Sequence, residues 1–305
     1  MIAAALMLAA TAAPSGRCAL PTGWSEIAAK NPRFLVFGEE HGTRESPELV
    51  SSIACALARK GHRVLVGVEL SSSGNSTLQQ LWDSPVEGFA QRLEDRLPDF
   101  AHRQDGVGSE AMRGMLERLH ALTREGRKID IVAFNSNPTE EKRWANLPGQ
   151  GPHEAAQAAN IASAAKKNPY DYILILVGNS HAQKQPVQFR NAKYKPMAMH
   201  LASVGSVLSL GEIFGSGTAW NCILKPGPNP RSGEQIAQSD LDCGSHTTAM
   251  TSGGPVRPKT QIGLWSKAEI ESQPMDDASW LSGYDGYYWF PVVHASPPVG
   301  AGALR

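Results

Sequence analysis

Short apolar runs alternate with longer helical stretches through the first two thirds of the chain, and this alternation constrains the fold more than any other feature. The runs are Phe34–Phe37, Val64–Leu70, Ile129–Phe134 and Tyr172–Val177. They are rich in β-branched or aromatic residues and nearly free of polar alternates, as expected of strands covered on both faces. Between them lie an apolar helical stripe over 46–60, a segment over 76–100 broken by Pro85 and Pro98, and an amphipathic helix over 109–125. An Ala-rich helix over 154–167 precedes the last run. The expected fold class is α/β, with a mainly parallel or mixed central sheet flanked by helices and a loop-rich C-terminal third.

After Lys195 the pattern changes. Met197–Leu201, Val204–Leu210 and Thr218–Leu224 read as further strands, Lys225–Lys259 as a long loop insertion, and Gly286–Val293 as a final edge element. Residues 20–305 are expected to form one α/β domain. The 41% apolar content supports a sizeable core, and the balance of 29 basic against 29 acidic residues argues against a nucleic-acid partner.

Residues 1–13 read as a secretory signal with small residues near a cleavage point at Ala10–Ala12, although no Lys or Arg precedes Arg17. The stretch is too short to cross a bilayer, so export without a membrane span in the mature chain is expected. Cys222 and Cys243 bracket a Gly/Pro-rich loop and are expected to pair in an oxidising compartment. No zinc-type cysteine spacing occurs among the four cysteines.

Two strands end in the same way. Phe34–Phe37 runs into Gly38-Glu39-Glu40-His41, and Tyr172–Val177 runs into Gly178-Asn179-Ser180-His181. Each histidine falls just past a strand's carboxyl end, the edge where open α/β sheets bind ligands. Glu69 ends a third strand at that edge, where a carboxylate must be paired, catalytic or in reach of solvent. Without a metal, His41 can act as a general base oriented by Glu69 or Glu39, and His181 or Arg44 can stabilise an oxyanion. The bland alternative is a solvated polar turn whose acids favour the helix that follows. His41, His181, Glu40 and Glu69 are also donors of the kind that bind Mn, Zn or Co. Asn179, Ser180, Glu45 and Arg103 are candidates for contacting a small-molecule or peptide substrate. No nucleophile-elbow Gly-x-Ser-x-Gly is present.

Over residues 30–210 these motifs resemble the erythromycin-esterase-like, ChaN-like and Tiki/TraB superfamily. The Gly38–Glu45 segment is similar to the esterase branch's Gly-Glu-x-x-His-Gly motif, one residue shorter between the glutamate and the histidine. Gly38–His41, Glu69 and Gly178–His181 match the paired Gly-x-x-His turns and strand-end glutamate of the Tiki/TraB branch. The resemblance implies an exported hydrolase of ester or peptide bonds, assisted either by a divalent metal or by His and Glu alone. Its ChaN branch implies the alternative of a haem-binding, iron-uptake protein, with Tyr284, Tyr287, Tyr288 and Trp289 as a face for the porphyrin.

Overall fold

The structure is a computed structural model that describes residues 18–189, 191–226, 237–248, 257, 259–273 and 275–300. The segment 1–13 lies outside these residues, as does part of the 225–259 insertion. The four apolar runs form strands β1 (Phe34–Glu39), β2 (Val64–Ser71), β3 (Ile129–Asn135) and β4 (Tyr172–Gly178). A small hairpin follows, β5 (Val187–Phe189) with β6 (Ala192–Tyr194). Then come β7 (Val207–Leu224), β8 (Leu241–Thr248), β9 (Gln261–Leu264) and β10 (Gly286–Val293).

The main sheet has the order β3-β2-β4-β1-β7-β10-β9, with β8 paired to β7. The five contacts from β3 through β10 are parallel, whereas β8 and β9 run antiparallel to their neighbours. Successive side chains enter different cores. Leu35, Phe37, Val66 and Leu174 pack with the helices Glu45–Arg59 and Glu110–Arg124, while Phe34, Val36, Leu65 and Ile175 pack with the helix Gly151–Ala164. That two-sided burial explains why these strands carry so few polar residues.

The chain leaves β1 for β2 and later returns to insert β4 between them, after which β7 lies on the other side of β1. The strand order reverses around β1, and a crevice at the carboxyl ends of β1 and β4 follows from that reversal.

Four C-terminal expectations need correction. Met197–Leu201 is a helix, because Met197, Ala198 and Leu201 fall on one buried face; a five-residue apolar run does not distinguish helix from strand. Val204–Leu210 and Thr218–Leu224 contribute to a single 18-residue strand, β7. The Gly/Ser-rich stretch between them stays extended because β10 pairs with it from Leu210 to Gly217. β10 is therefore an interior strand between β7 and β9, with Tyr288 fully buried, and not an edge. Part of the expected insertion is the regular strand β8.

Cys222 and Cys243 form a disulfide between directly opposed residues of β7 and β8. A second bond joins Cys18 to Cys55 on the helix Glu45–Arg59. Among the described residues no helix is long and apolar enough to cross a membrane.

Candidate functional site

The two Gly-x-x-His turns leave the sheet side by side, because Glu39 pairs with Gly178 in the β1–β4 register. Their glycines serve close approach. A Cβ on Gly178 would stand 2.8 Å from His41 Nε2, and one on Gly38 would stand 2.7 Å from the Ala182 Cβ. Each bare glycine thus makes room for the other strand's turn, and neither has a positive φ that would require glycine.

His41 is oriented by its own turn, with Nδ1 2.9 Å from Glu39 Oε1. Glu39 is the last residue of β1 and is buried, so it has few other partners to choose. His181 is oriented in the same way from elsewhere in the chain: its Nδ1 lies 2.8 Å from Glu154 Oε1. Glu154 is fully buried in the helix Gly151–Ala164, and its other oxygen accepts the Met197 N–H at 2.8 Å.

Between the two imidazoles sits Glu69. Its Oε2 accepts the Gly178 N–H at 2.7 Å and lies 3.4 Å from His41 Nε2, while its Oε1 lies 3.7 Å from His181 Nε2. The cluster is a shared carboxylate with an oriented imidazole on either side. Burial pushes the Glu69 carboxyl up, but the His181 and His41 charges and the Gly178 N–H more than offset it, holding Glu69 well below the usual carboxylate range. Burial likewise opposes the charge on His41, yet the Glu69 and Glu39 carboxylates raise it well above 6.5. His181 is raised for the same reason by Glu69 and Glu154. Glu39, with less compensation, is pushed up by burial.

His41, His181, Glu39 and Gly178 open onto a cavity of about 280 Å³, with Glu69 buried behind them. Its polar rim is made by Glu40, Asp105, Asn179, Ser180 and Asn221. Asn179 donates to Glu40 at 3.3 Å, and burial raises the Glu40 carboxyl. Arg103 stands behind this rim. It holds Asp105 through Nε at 3.0 Å and donates to the Glu69 carbonyl at 3.3 Å. Its guanidinium therefore braces the site, and it is Asp105 that reaches the cavity.

Arg44 and Glu45 are placed outside this cluster. The helix that begins at Glu45 directs both into a separate groove of about 770 Å³ beside Glu110 and Ser296. There Glu45 binds His294, Oε1 to Nδ1, at 2.8 Å, and Arg44 pairs with Glu45 and Glu48. That groove is larger than the cavity but holds no member of the His41–Glu69–His181 cluster.

Two buried acids of the site escape a sequence reading. Glu154 looks like an ordinary first-turn helix acid, and only its place on an apolar Ala/Ile face hints at burial. Glu212 interrupts the apolar run of β7, and it accepts the Glu40 N–H at 2.6 Å with the Thr43 hydroxyl 3.4 Å away. Beneath it, Tyr288 donates to the Gly38 carbonyl at 2.8 Å and receives Ser46 at 3.2 Å. This buried network holds the first turn from Gly38 to Ser46. Burial, with the Glu39 and Glu40 charges nearby, pushes the Glu212 carboxyl well above 4.5.

Two imidazole nitrogens and a carboxylate are suitable donors for a divalent ion, and carboxylates on both Nδ1 atoms are the usual outer partners of metal-binding histidines. The three groups nevertheless pair with one another. Among the described residues no set of three His, Cys, Asp or Glu side chains is arranged to hold a metal ion. For haem, Tyr284, Tyr287, Tyr288 and Trp289 are each at most 6% exposed and offer a porphyrin no open face.

No family model matches the sequence, and no curated protein does. Solved structures do. A mutant of the erythromycin esterase EreC in its open conformation matches with a TM-score of 0.63 at 14% identity, covering 90% of this chain and 95% of that one. A succinoglycan biosynthesis protein matches with a TM-score of 0.61 at 9% identity, covering 90% of this chain and 91% of that one. A Bacillus cereus protein matches with a TM-score of 0.58 at 12% identity, covering 90% and 92%. The fold of this chain is therefore the erythromycin-esterase-like fold.

Proposed function

We propose that the protein is an exported hydrolase of esters or amides that works through His41, Glu69 and His181 without a metal step. One observation carries this reading: two cavity-lining imidazoles, each fixed at Nδ1 by a buried carboxylate, turn their Nε2 atoms toward one shared buried carboxylate, Glu69. A cluster that orients two proton carriers toward the same point is suited to moving protons at a single reacting centre. That an erythromycin esterase shares this fold supports the same class of reaction.

In this reading a substrate carbonyl enters over Gly178. His41, with Nδ1–H donated to Glu39, takes a proton from water at Nε2 as the water oxygen bonds to the carbonyl carbon. The protonated His181 donates to the resulting oxyanion from Nε2. On collapse the carbonyl re-forms, the bond to the leaving group breaks, and the His41 proton goes to the departing oxygen or nitrogen. Glu69 stabilises both imidazolium forms and is not consumed. Such positioned acid–base catalysis is worth about 10²- to 10⁴-fold.

Export is part of the proposal, because two disulfides account for all four cysteines, as in chains that fold in an oxidising compartment. The test is hydrolysis of 4-nitrophenyl acetate, with and without EDTA, by the native chain and by His41→Ala. Turnover that persists in EDTA and falls about 100-fold or more in His41→Ala supports the reading. Turnover lost in EDTA and restored by Mn or Zn counts against the metal-free form, and equal turnover by the two proteins counts against the site.

A further inference from the structure

β7 runs on past the sheet. Beyond Gly217 its described partner is β8, and the two strands form an arm that stands beside the first Gly-x-x-His turn. The arm is docked there by backbone. The Trp220 N–H donates to the Gly42 carbonyl at 3.0 Å, and the Trp220 carbonyl fills the space that a Gly42 Cβ would occupy, 2.0 Å away. Gly42 has a φ of 79°, so both its conformation and its neighbour call for glycine. Further along, Cys222 Sγ rests 3.6 Å from the Gln104 carbonyl, on the loop that carries Asp105.

Asn221 lies between these two contacts and lines the cavity with His41 and Asp105. Its side-chain oxygen is shielded from solvent and has no hydrogen-bond partner among the described residues. The residue opposite it on β8 is Gly244, so no cross-strand side chain occupies the acceptor. Its chain neighbour Cys222 is bonded to Cys243, which fixes the register of the arm at this point. Buried polar atoms are nearly always paired, and one left unpaired in a side chain that lines a cavity calls for a partner that arrives from outside.

Resting on the hydrolase reading above, we infer that Asn221 is a substrate-binding residue whose amide oxygen accepts a hydrogen bond from an N–H or O–H beside the scissile carbonyl, with the Cys222–Cys243 bond holding that oxygen in place. The substrate class is then an ester or amide with a donor on its acyl side, such as an N-acylamino or hydroxy acid. A site with an unpaired buried acceptor discriminates against an analogue that lacks the donor, since the acceptor then stays unpaired.

The test compares 4-nitrophenyl esters of N-acetylglycine and N-acetylsarcosine, which differ by methylation of the single amide N–H. The native chain is expected to favour the glycine ester by about 10- to 100-fold in kcat/KM, mostly through KM. Asn221→Ala is expected to bring the glycine ester down to the level of the sarcosine ester, which separates the lost hydrogen bond from the bulk of the methyl group. Cys222→Ser with Cys243→Ser is expected to raise KM for the glycine ester while kcat holds. Thermal melting of Asn221→Ala within a few degrees of the native chain excludes misfolding as the cause. A native chain that hydrolyses both esters equally, in a His41-dependent way, overturns this inference alone, as does a preference that survives in Asn221→Ala. Hydrolysis of neither ester overturns it together with the hydrolase reading.

Discussion

Glu154 and His181 meet at 2.8 Å, Oε1 to Nδ1, although one comes from the first turn of a helix and the other from the turn after β4. With Glu39 and His41 at 2.9 Å they form a second carboxylate–imidazole pair, and both pairs face Glu69. Because the other Glu154 oxygen holds the Met197 N–H, this acid positions the histidine and the helix Met197–Leu201 together. Glu154→Ala is expected to lower kcat/KM about 10- to 100-fold and to cost about 1–3 kcal/mol for the N–H left unpaired. Steady-state kinetics and urea unfolding measure the two effects separately. Full activity in a destabilised Glu154→Ala protein would show the acid to be purely structural.

The two motif glycines should respond differently to alanine. At Gly178 the added Cβ meets the tip of the His41 side chain rather than backbone, so Gly178→Ala is expected to displace the imidazole and cut kcat about 100-fold at little cost in stability. At Gly38 it meets the Ala182 Cβ at 2.7 Å and the Asn179 Cα at 3.1 Å, which cannot swing away. Gly38→Ala is therefore expected to cost about 1–3 kcal/mol by overpacking. Parallel melting and rate measurements on the two variants check this contrast.

The rate should follow the raised imidazole. His41 accepts a proton only once it is neutral, and Glu69 and Glu39 hold it charged to a pH well above its ordinary 6.5. The kcat/KM for an ester is expected to climb through a midpoint above 6.5, and Glu69→Gln, which removes the largest raising charge, is expected to move that midpoint down. A midpoint unmoved in Glu69→Gln would mean that a different group limits the rate.

Stability should depend on pH in a related way. Glu69 has a lowered folded pKa, so its contribution is present above 4.5 and is lost as pH falls toward the lowered value. His41 and His181 have raised folded pKa values, so theirs is present below 6.5 and is lost as pH rises through the raised values. Glu212, raised by burial, contributes below 4.5 and loses that contribution as pH rises from 4.5 through its raised value. Thermal melting across pH is expected to peak between about 4.5 and 6.5, with both limbs shallower in Glu69→Gln.

The parallel half of the sheet and the three central site residues are legible in the sequence for one reason. β1 to β4 are buried on both faces, so they appear as unbroken apolar runs, and a polar residue at the end of such a run stands out. His41, Glu69 and His181 stand out in that way. Glu154 and Glu212 do not, because an acid within a helix or strand reads as solvent-facing until its tertiary partner is known; here those partners are His181 and the Glu40 N–H. The same holds for β7. Its Gly211–Gly217 stretch has the composition of turns and stays extended only because β10, some seventy residues on, supplies the pairing. Arg44 and Glu45 sit beside His41 in sequence, and the helix start at Glu45 turns them into a different groove.

That His41 and His181 act as one site through Glu69 is tested most directly by a double-mutant cycle in kcat/KM for 4-nitrophenyl acetate. The cycle uses the native chain, His41→Ala, His181→Ala and the double variant. Residues that work as a unit lose their function together, so the double variant is expected to be about as slow as the slower single variant. Losses that multiply, each histidine contributing its full factor independently, would contradict the shared site.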